Sequence, residues 1–194
     1  TPSVSSHVRQ VLVACRATEH LPDMSLKSSI KTVLTLGQGV AGGLPGAASD
    51  MEPIELFGDW LRAAEESGIL LPESVTLATA TSDGIPSARM VLLKEVDERG
   101  FVFYTNYGSR KAAELDSNPN AALCFHWAVL HRQVRITGTV QRVSQEESAE
   151  YFSSRPRGTR LGAWASKQSQ TLDSRAELEA RLSEAQERFA EDDV

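Results

Sequence analysis

Between Val75 and Val143 the chain is a run of short segments rich in β-branched and aromatic residues, broken at close intervals by turn residues. No other feature limits the possible folds as much. Val75–Thr81 (VTLATAT) is the first segment, and Ser82-Asp83-Gly84 is a tight turn behind it. Ser87–Val96 (SARMVLLKEV), a turn over Asp97–Gly100 and Phe101–Thr105 (FVFYT) follow. Ala121–Trp127 and Gln133–Val143, joined by a short loop, complete five predicted strands. Helices are predicted at the margins and in one connection. Asp50 can cap a helix with Ile54, Phe57, Leu61 and Ala64 on one face and Gly68 at its end. Ser109 can cap the short helix SRKAAELDS, which Asn118-Pro119 closes. Ser144 with Glu147, and Ser174 with Glu177, are capping boxes. The second leads a helix with Leu178, Leu182, Ala185 and Phe189 on one face. Strands joined mostly by turns and flanked by helices predict a mainly β, antiparallel barrel or sandwich.

The chain of 194 residues suits one domain of ordinary size, and its 41% apolar content is enough for one core. A net charge of −6 argues against bulk binding to nucleic acid or to an anionic membrane. The longest apolar runs fall far short of the roughly 20 residues needed to span a bilayer. Two cysteines, Cys15 and Cys124, make neither a disulfide framework nor a zinc pattern, so a reducing, cytoplasmic setting is expected. Residues 1–50 are expected to be a poorly ordered extension, with a Gly/Ala/Pro-rich linker over residues 37–49, and residues 51–194 to be the folded domain.

The βα alternation of a dinucleotide-binding sheet is absent, as are GxGxxG and the P-loop. Any nucleotide-like phosphate must therefore be held another way, and three basic clusters are candidates. Arg89 and Lys94 flank Met90, Val91, Leu92 and Leu93, and alternation points the two cations to opposite faces of one strand. Such a strand can lay its backbone against a flat ring, or can simply be a core strand with basic ends. Arg110 and Lys111 sit in the first turn of a helix, where the dipole favours negative charge. A phosphate at that N-terminus explains the choice; two solvated surface cations are the plain alternative. Arg155, Arg157 and Arg160 follow a helix end in RPRGTR, read as a polar loop that could hold a phosphate or merely balance the helix dipole.

Four stretches in order carry a specific resemblance. PSARMVLLK (Pro86–Lys94), FVFYTNYGSRKAAELDSNP (Phe101–Pro119), FHWAVLHRQVRITG (Phe125–Gly138) and YFSSRPRGTRLGAWASKQS (Tyr151–Ser169) are similar to the motifs of pyridoxine/pyridoxamine 5'-phosphate oxidases. The resemblance runs from about Pro53 to the C-terminus. It implies an FMN-binding split β-barrel and oxidation of pyridoxamine or pyridoxine 5'-phosphate to pyridoxal 5'-phosphate, with O2 as acceptor and H2O2 as product. It places FMN against Arg89, Met90, Val91, Leu92, Leu93 and Lys94, then Tyr104 and Thr105, Arg110 and Lys111, Gln133, and Gln168 with Ser169. It places the substrate phosphate against Lys94, Tyr151, Arg155 and Thr159. It implies a homodimer with the flavin in clefts between subunits.

The resemblance departs from the family in three places. Family members continue into a W-G-G segment and a later R-x-H segment, so the domain is expected to be incomplete at its C-terminus. A basic, Tyr-containing N-terminal stretch is not recognisable in residues 1–50. Thr159 and Arg160 stand where Ser-Gln is usual, and Arg160 is expected to add charge near a phosphate. Two other functions remain open: a non-catalytic flavin- or pyridoxal-phosphate-binding module, and a split-barrel oxidase of another reduced ring.

Overall fold

The computed structural model describes residues 9–16, 52–97, 99–190 and 194. The predicted cap at Asp50 and the linker over residues 37–49 lie outside them. Six strands form a closed antiparallel barrel: β1 (Arg9–Arg16), β2 (Ser74–Ala80), β3 (Pro86–Asp97), β4 (Gly100–Thr105), β5 (Asn120–Trp127) and β6 (Arg132–Gln141). Around the barrel the order is β1-β4-β3-β2-β5-β6. The five expected strands are all present, with ends within two residues of the expected ones. The sixth, β1, comes from the stretch expected to be an extension. It pairs with β4 in the register Val11↔Phe103 and with β6 in the register Ala14↔Thr139, closing the gap between them. Barrel closure leaves no open sheet edge.

Helix α1 (Pro53–Glu66) precedes the second strand, with Pro53 at its start and Gly68 just past its end at φ 76. A left-handed position there favours glycine, which has no Cβ to clash. The apolar face of α1 fills the barrel. Phe57 meets Phe101 edge-on at 4.9 Å and Phe125 at 5.0 Å, and lies 5.9 Å from Trp127. Alternation along β2 and β5 turns Val75, Leu77, Leu123, Phe125 and Trp127 into the same core. The Trp127 indole N–H donates to the Pro72 carbonyl at 2.9 Å, so burying this large ring leaves no polar group unpaired.

Helix α2 (Arg110–Ser117) links β4 to β5, with Ser109 as its cap. Helix α3 (Gln145–Ser154) opens on Ser144, whose hydroxyl accepts from the Glu147 N–H at 3.1 Å. The Glu147 carboxylate does not close the expected capping box. It pairs with Arg99 at 3.1 Å and so ties α3 to the β3–β4 turn. The stretch read as a polar loop is a helix, α4 (Arg157–Ala165), with Pro156 at its cap. Proline is tolerated there because the first helical N–H groups have no partner within the helix. Helix α5 (Arg175–Arg188) packs on α4, with Phe189 against Trp164 at 5.2 Å. Among the described residues, no helix is long and apolar enough to cross a membrane.

Candidate functional site

Two adjoining cavities, of about 410 and 480 Å³, run along β3 from Ser87 to Lys94. They share Met90, Lys111 and Gln168 and together follow one strand. The first is basic and closed by α2: Arg89, Arg110, Lys111, Gln168 and Ser169 line it. The second opens between β3, β4 and the α3–α4 corner. Val91, Leu92, Lys94, Tyr104 and Thr105 form one wall, and Tyr151, Arg155 and Thr159 form the other.

Local structure explains how each group arrives. On β3 the pairing shifts between Leu93↔Phe103 and Glu95↔Val102, which makes Lys94 an extra residue, a β-bulge. Bulges re-aim side chains, and this one leaves Lys94 exposed at the cavity wall. Tyr104, at the end of β4, stacks on Tyr151 of α3 with ring centroids 3.6 Å apart and planes 19° apart. Burial, with Glu147 and Glu95 nearby, pushes the Tyr104 phenol up to about 12, so it keeps its proton as a donor at neutral pH. Burial also raises Tyr151, while Arg155 draws it partly back. Arg155 ends α3 and reaches the Thr159 carbonyl at 3.5 Å, bracing the corner that both residues line. Ser169 adopts φ 70 in the turn where the Gln170 N–H bonds the Lys167 carbonyl at 3.1 Å. A non-glycine residue in that region stores roughly 1 kcal/mol or more of strain, the kind that collects at ligand clamps.

Lys111 is the most telling side chain. It is 8% exposed, and among the described residues its hydrogen-bond partners are two neutral oxygens, Gln168 Oε1 at 2.7 Å and Ser109 Oγ at 3.4 Å. Burial first, then the nearby Arg89 guanidinium, push its pKa below the usual lysine value. A buried cation facing a cavity with only neutral partners is suited to an anionic ligand. Arg89 and Arg110 differ, since both bond Glu114: Arg89 Nη2 at 3.0 Å and Arg110 Nε at 2.7 Å. Burial pushes the Glu114 carboxyl up, but hydrogen bonds from Ser87, Thr79, Arg110 and Arg89 outweigh it and hold it at about 2.

Four of the expected placements change. Leu93 does not reach either cavity: it is 5% exposed in the core, and its N–H is committed to the Glu73 carbonyl at 2.9 Å. Gln133 is exposed on β6 opposite His126, three strands from β3. On the far side of the closed barrel from β3, it lines neither cavity. Arg157 and Arg160 do not join Arg155. Three residues apart on α4, they face α5 and its end: Arg157 Nη2 donates to the Phe189 carbonyl at 2.6 Å, and Arg160 Nη1 to the Val194 carbonyl at 3.4 Å. Arg160, expected to add charge near a phosphate, lines neither cavity. Conversely, Ser87, Asn106 and Ser166 line the cavities without having been picked out, and Glu114 organises one from behind. Its one sequence signal is the i,i+4 spacing to Arg110.

The chain is similar to known proteins in both sequence and fold. The family model described as pyridoxamine 5'-phosphate oxidase matches residues 61–189. A protein from Colwellia psychrerythraea named pyridoxine/pyridoxamine 5'-phosphate oxidase is 53% identical over 171 residues, 88% of this chain and 79% of that one. A protein of the same name from Rubrobacter xylanophilus is 56% identical over 147 residues, 76% of this chain and 68% of that one. Among solved structures, PhzG from Burkholderia lata 383, in complex with tetrahydrophenazine-1-carboxylic acid, superposes with a TM-score of 0.70 at 31% identity, over 74% of this chain and 72% of that one. A pyridoxamine 5'-phosphate oxidase-related, FMN-binding protein from Nostoc punctiforme shares the fold at a TM-score of 0.56 and 18% identity, over 67% of this chain and 71% of that one. On the matched family model and these identities, the chain belongs to the pyridoxamine 5'-phosphate oxidase family of oxidoreductases.

Proposed function

We propose that the paired cavities bind FMN and a phosphorylated B6 vitamer, and that the protein oxidises pyridoxine or pyridoxamine 5'-phosphate to pyridoxal 5'-phosphate. The single observation that carries this reading is the buried Lys111 ammonium, set with no carboxylate partner among the described residues at the basic end of a cavity that follows β3. The donor set suits a phosphate monoester with a ring beyond it. Arg89, Arg110, Lys111 and Ser169 would take the FMN phosphate, and the β3 backbone from Met90 to Lys94 would lie along the ring. FMN, when bound, supplies a hydride acceptor for the carbon bearing the amine or alcohol and passes two electrons to O2, giving H2O2. The protein's own part is placement. Lys94, Tyr151, Arg155 and Thr159 would grip the substrate phosphate at the far end of the second cavity and fix ring against ring. The stacked Tyr104 and Tyr151 would exclude water where the two walls of that cavity meet.

A homodimer completes the reading. The outward row of β3, with Pro86, Ala88, Met90 and Leu92, is apolar and exposed, Met90 at 59%. Continuous with it in register run Thr76 on β2, Cys124 on β5 and Arg135 on β6. A second copy on this face would cover the apolar row and bring its Gln133 toward the flavin cleft. A second reading, oxidation of another reduced ring, is favoured by the likeness to PhzG. The phosphate grip at the α3–α4 corner weighs against it.

The test is a pair of measurements on the purified protein. Equilibrium dialysis should show FMN bound more tightly than riboflavin. Aerobic incubation with pyridoxine 5'-phosphate should then yield pyridoxal 5'-phosphate and peroxide in equal amounts. Equal affinity for FMN and riboflavin would remove the phosphate argument.

A further inference from the structure

A buried carboxylate beside a phosphate-binding site is a puzzle on Coulomb grounds alone, since it repels the ligand the site would attract. Glu114 is such a group, 4% exposed on α2. Its geometry shows what it does. Arg89 Nη1 donates to Thr79 Oγ1 at 2.5 Å and to the Leu77 carbonyl at 3.2 Å; its Nη2 donates to Ser87 Oγ at 2.5 Å. The two hydroxyls in turn donate hydrogen bonds to Glu114 Oε2, Thr79 at 2.5 Å and Ser87 at 2.6 Å. Arg89 also reaches Oε2 directly, while Oε1 takes Arg110 from the next turn of the helix. One carboxylate thus gathers both arginines, one directly and through a two-hydroxyl bridge, the other directly. Glu114 lines neither cavity, whereas Arg89 and Arg110 line the first.

We propose that Glu114 is the positioning residue of the phosphate end: it holds Arg89 and Arg110 to one carboxylate and leaves Lys111 as the cation that pairs with the incoming phosphate. This rests on the FMN reading above. Arg89, with Nη1 and Nη2 both engaged, then acts as a fixed hydrogen-bonding wall, and Arg110, tethered through its Nε, is aimed from the same carboxylate. Preorganisation of this kind favours a ligand of the right shape over one merely of the right charge.

Position and charge predict opposite signs for one substitution, which makes the proposal testable. Removing the negative charge in Glu114→Gln should tighten a dianionic ligand if charge governs, and weaken it if position governs. The affinities of FMN and riboflavin are measured for the wild type and for E114Q by fluorescence titration, with the melting temperature recorded alongside. The proposal predicts that the FMN-to-riboflavin affinity ratio falls by about tenfold or more in E114Q. A ratio that rises or stays unchanged overturns it, since a general loss of structure would weaken both ligands alike. Should E114Q not fold, Thr79→Val removes one bridging hydroxyl from behind the cavity and should lower the same ratio by a smaller factor; no change there also overturns it. A wild-type protein that does not distinguish FMN from riboflavin would instead refute the FMN reading, whatever Glu114 does.

Discussion

Lys111 and Glu114 are two buried charges in one helix with opposite fates. Glu114 is surrounded by donors and is stabilised as an anion. Lys111 is desolvated with only neutral partners and is poised for a ligand. Lys111→Met keeps most of the side chain's length and removes the charge. The ligand-free variant should melt no lower than the wild type, because a desolvated cation costs stability. Its FMN affinity should fall about 10- to 100-fold, as expected from about 1.5–3 kcal/mol for a hydrogen bond to a charged group. A lower melting temperature with unchanged FMN affinity would show that Lys111 is structural. The pH dependence follows from the same shift. A lysine whose folded pKa is depressed binds its proton less well folded than unfolded, and a bound phosphate restores it. FMN binding should therefore take up protons at alkaline pH and weaken as pH rises toward 10.5, while riboflavin binding does not. Glu114 has the reverse sign: held at about 2 against an ordinary 4.5, it adds stability that is complete above 4.5 and lost as pH falls through 2. In E114Q the part of acid unfolding that spans this window should disappear.

At the scale of elements, the strands were legible because each alternates and each ends in its own turn chemistry, as in Ser82-Asp83-Gly84. The helix at Ser109 was legible for the same local reason, and its two leading cations do line the basic cavity. Helix α4 was not. Pro156, Gly158 and Thr159 all argue for a loop, and only packing of Trp164 and Leu161 against neighbouring elements overrides them. That override splits the arginine cluster, a division invisible along the chain. Arg155→Ala should raise the KM for pyridoxine 5'-phosphate several-fold with little loss of stability. Arg157→Ala should lower the melting temperature modestly and leave that KM unchanged, because its guanidinium anchors α5. Equal effects on KM would mean that both arginines face substrate. In α1, Phe57→Ala should cost about 3–5 kcal/mol in denaturant unfolding, since its ring is the hub of the barrel's aromatic core.

At the scale of the whole molecule, closure by β1 could not be read from sequence, since it depends on pairings some 90 and 125 residues away. The place of Gln133 is a second such case. Its motif was plain, yet the barrel turns it away from its own cavities and toward the apolar outer face. Subunit mixing addresses this directly. If Gln133 serves the partner's cleft, Gln133→Ala should weaken FMN as Lys111→Met does, a heterodimer of the two carries one intact cleft, and mixing the two weakened variants should restore part of the FMN binding. No recovery in a confirmed heterodimer would place Gln133 outside the site. In the proposed reaction a flavin anchored along β3 would face a substrate gripped by its phosphate at the α3–α4 corner. The most direct measurement is anaerobic mixing of the FMN-loaded protein with pyridoxine 5'-phosphate and, separately, with unphosphorylated pyridoxine. The phosphorylated vitamer should bleach the flavin rapidly, and pyridoxine at the same concentration should do so far more slowly. A flavin that stays oxidised with the phosphorylated vitamer, or that both compounds bleach at the same rate, would contradict it.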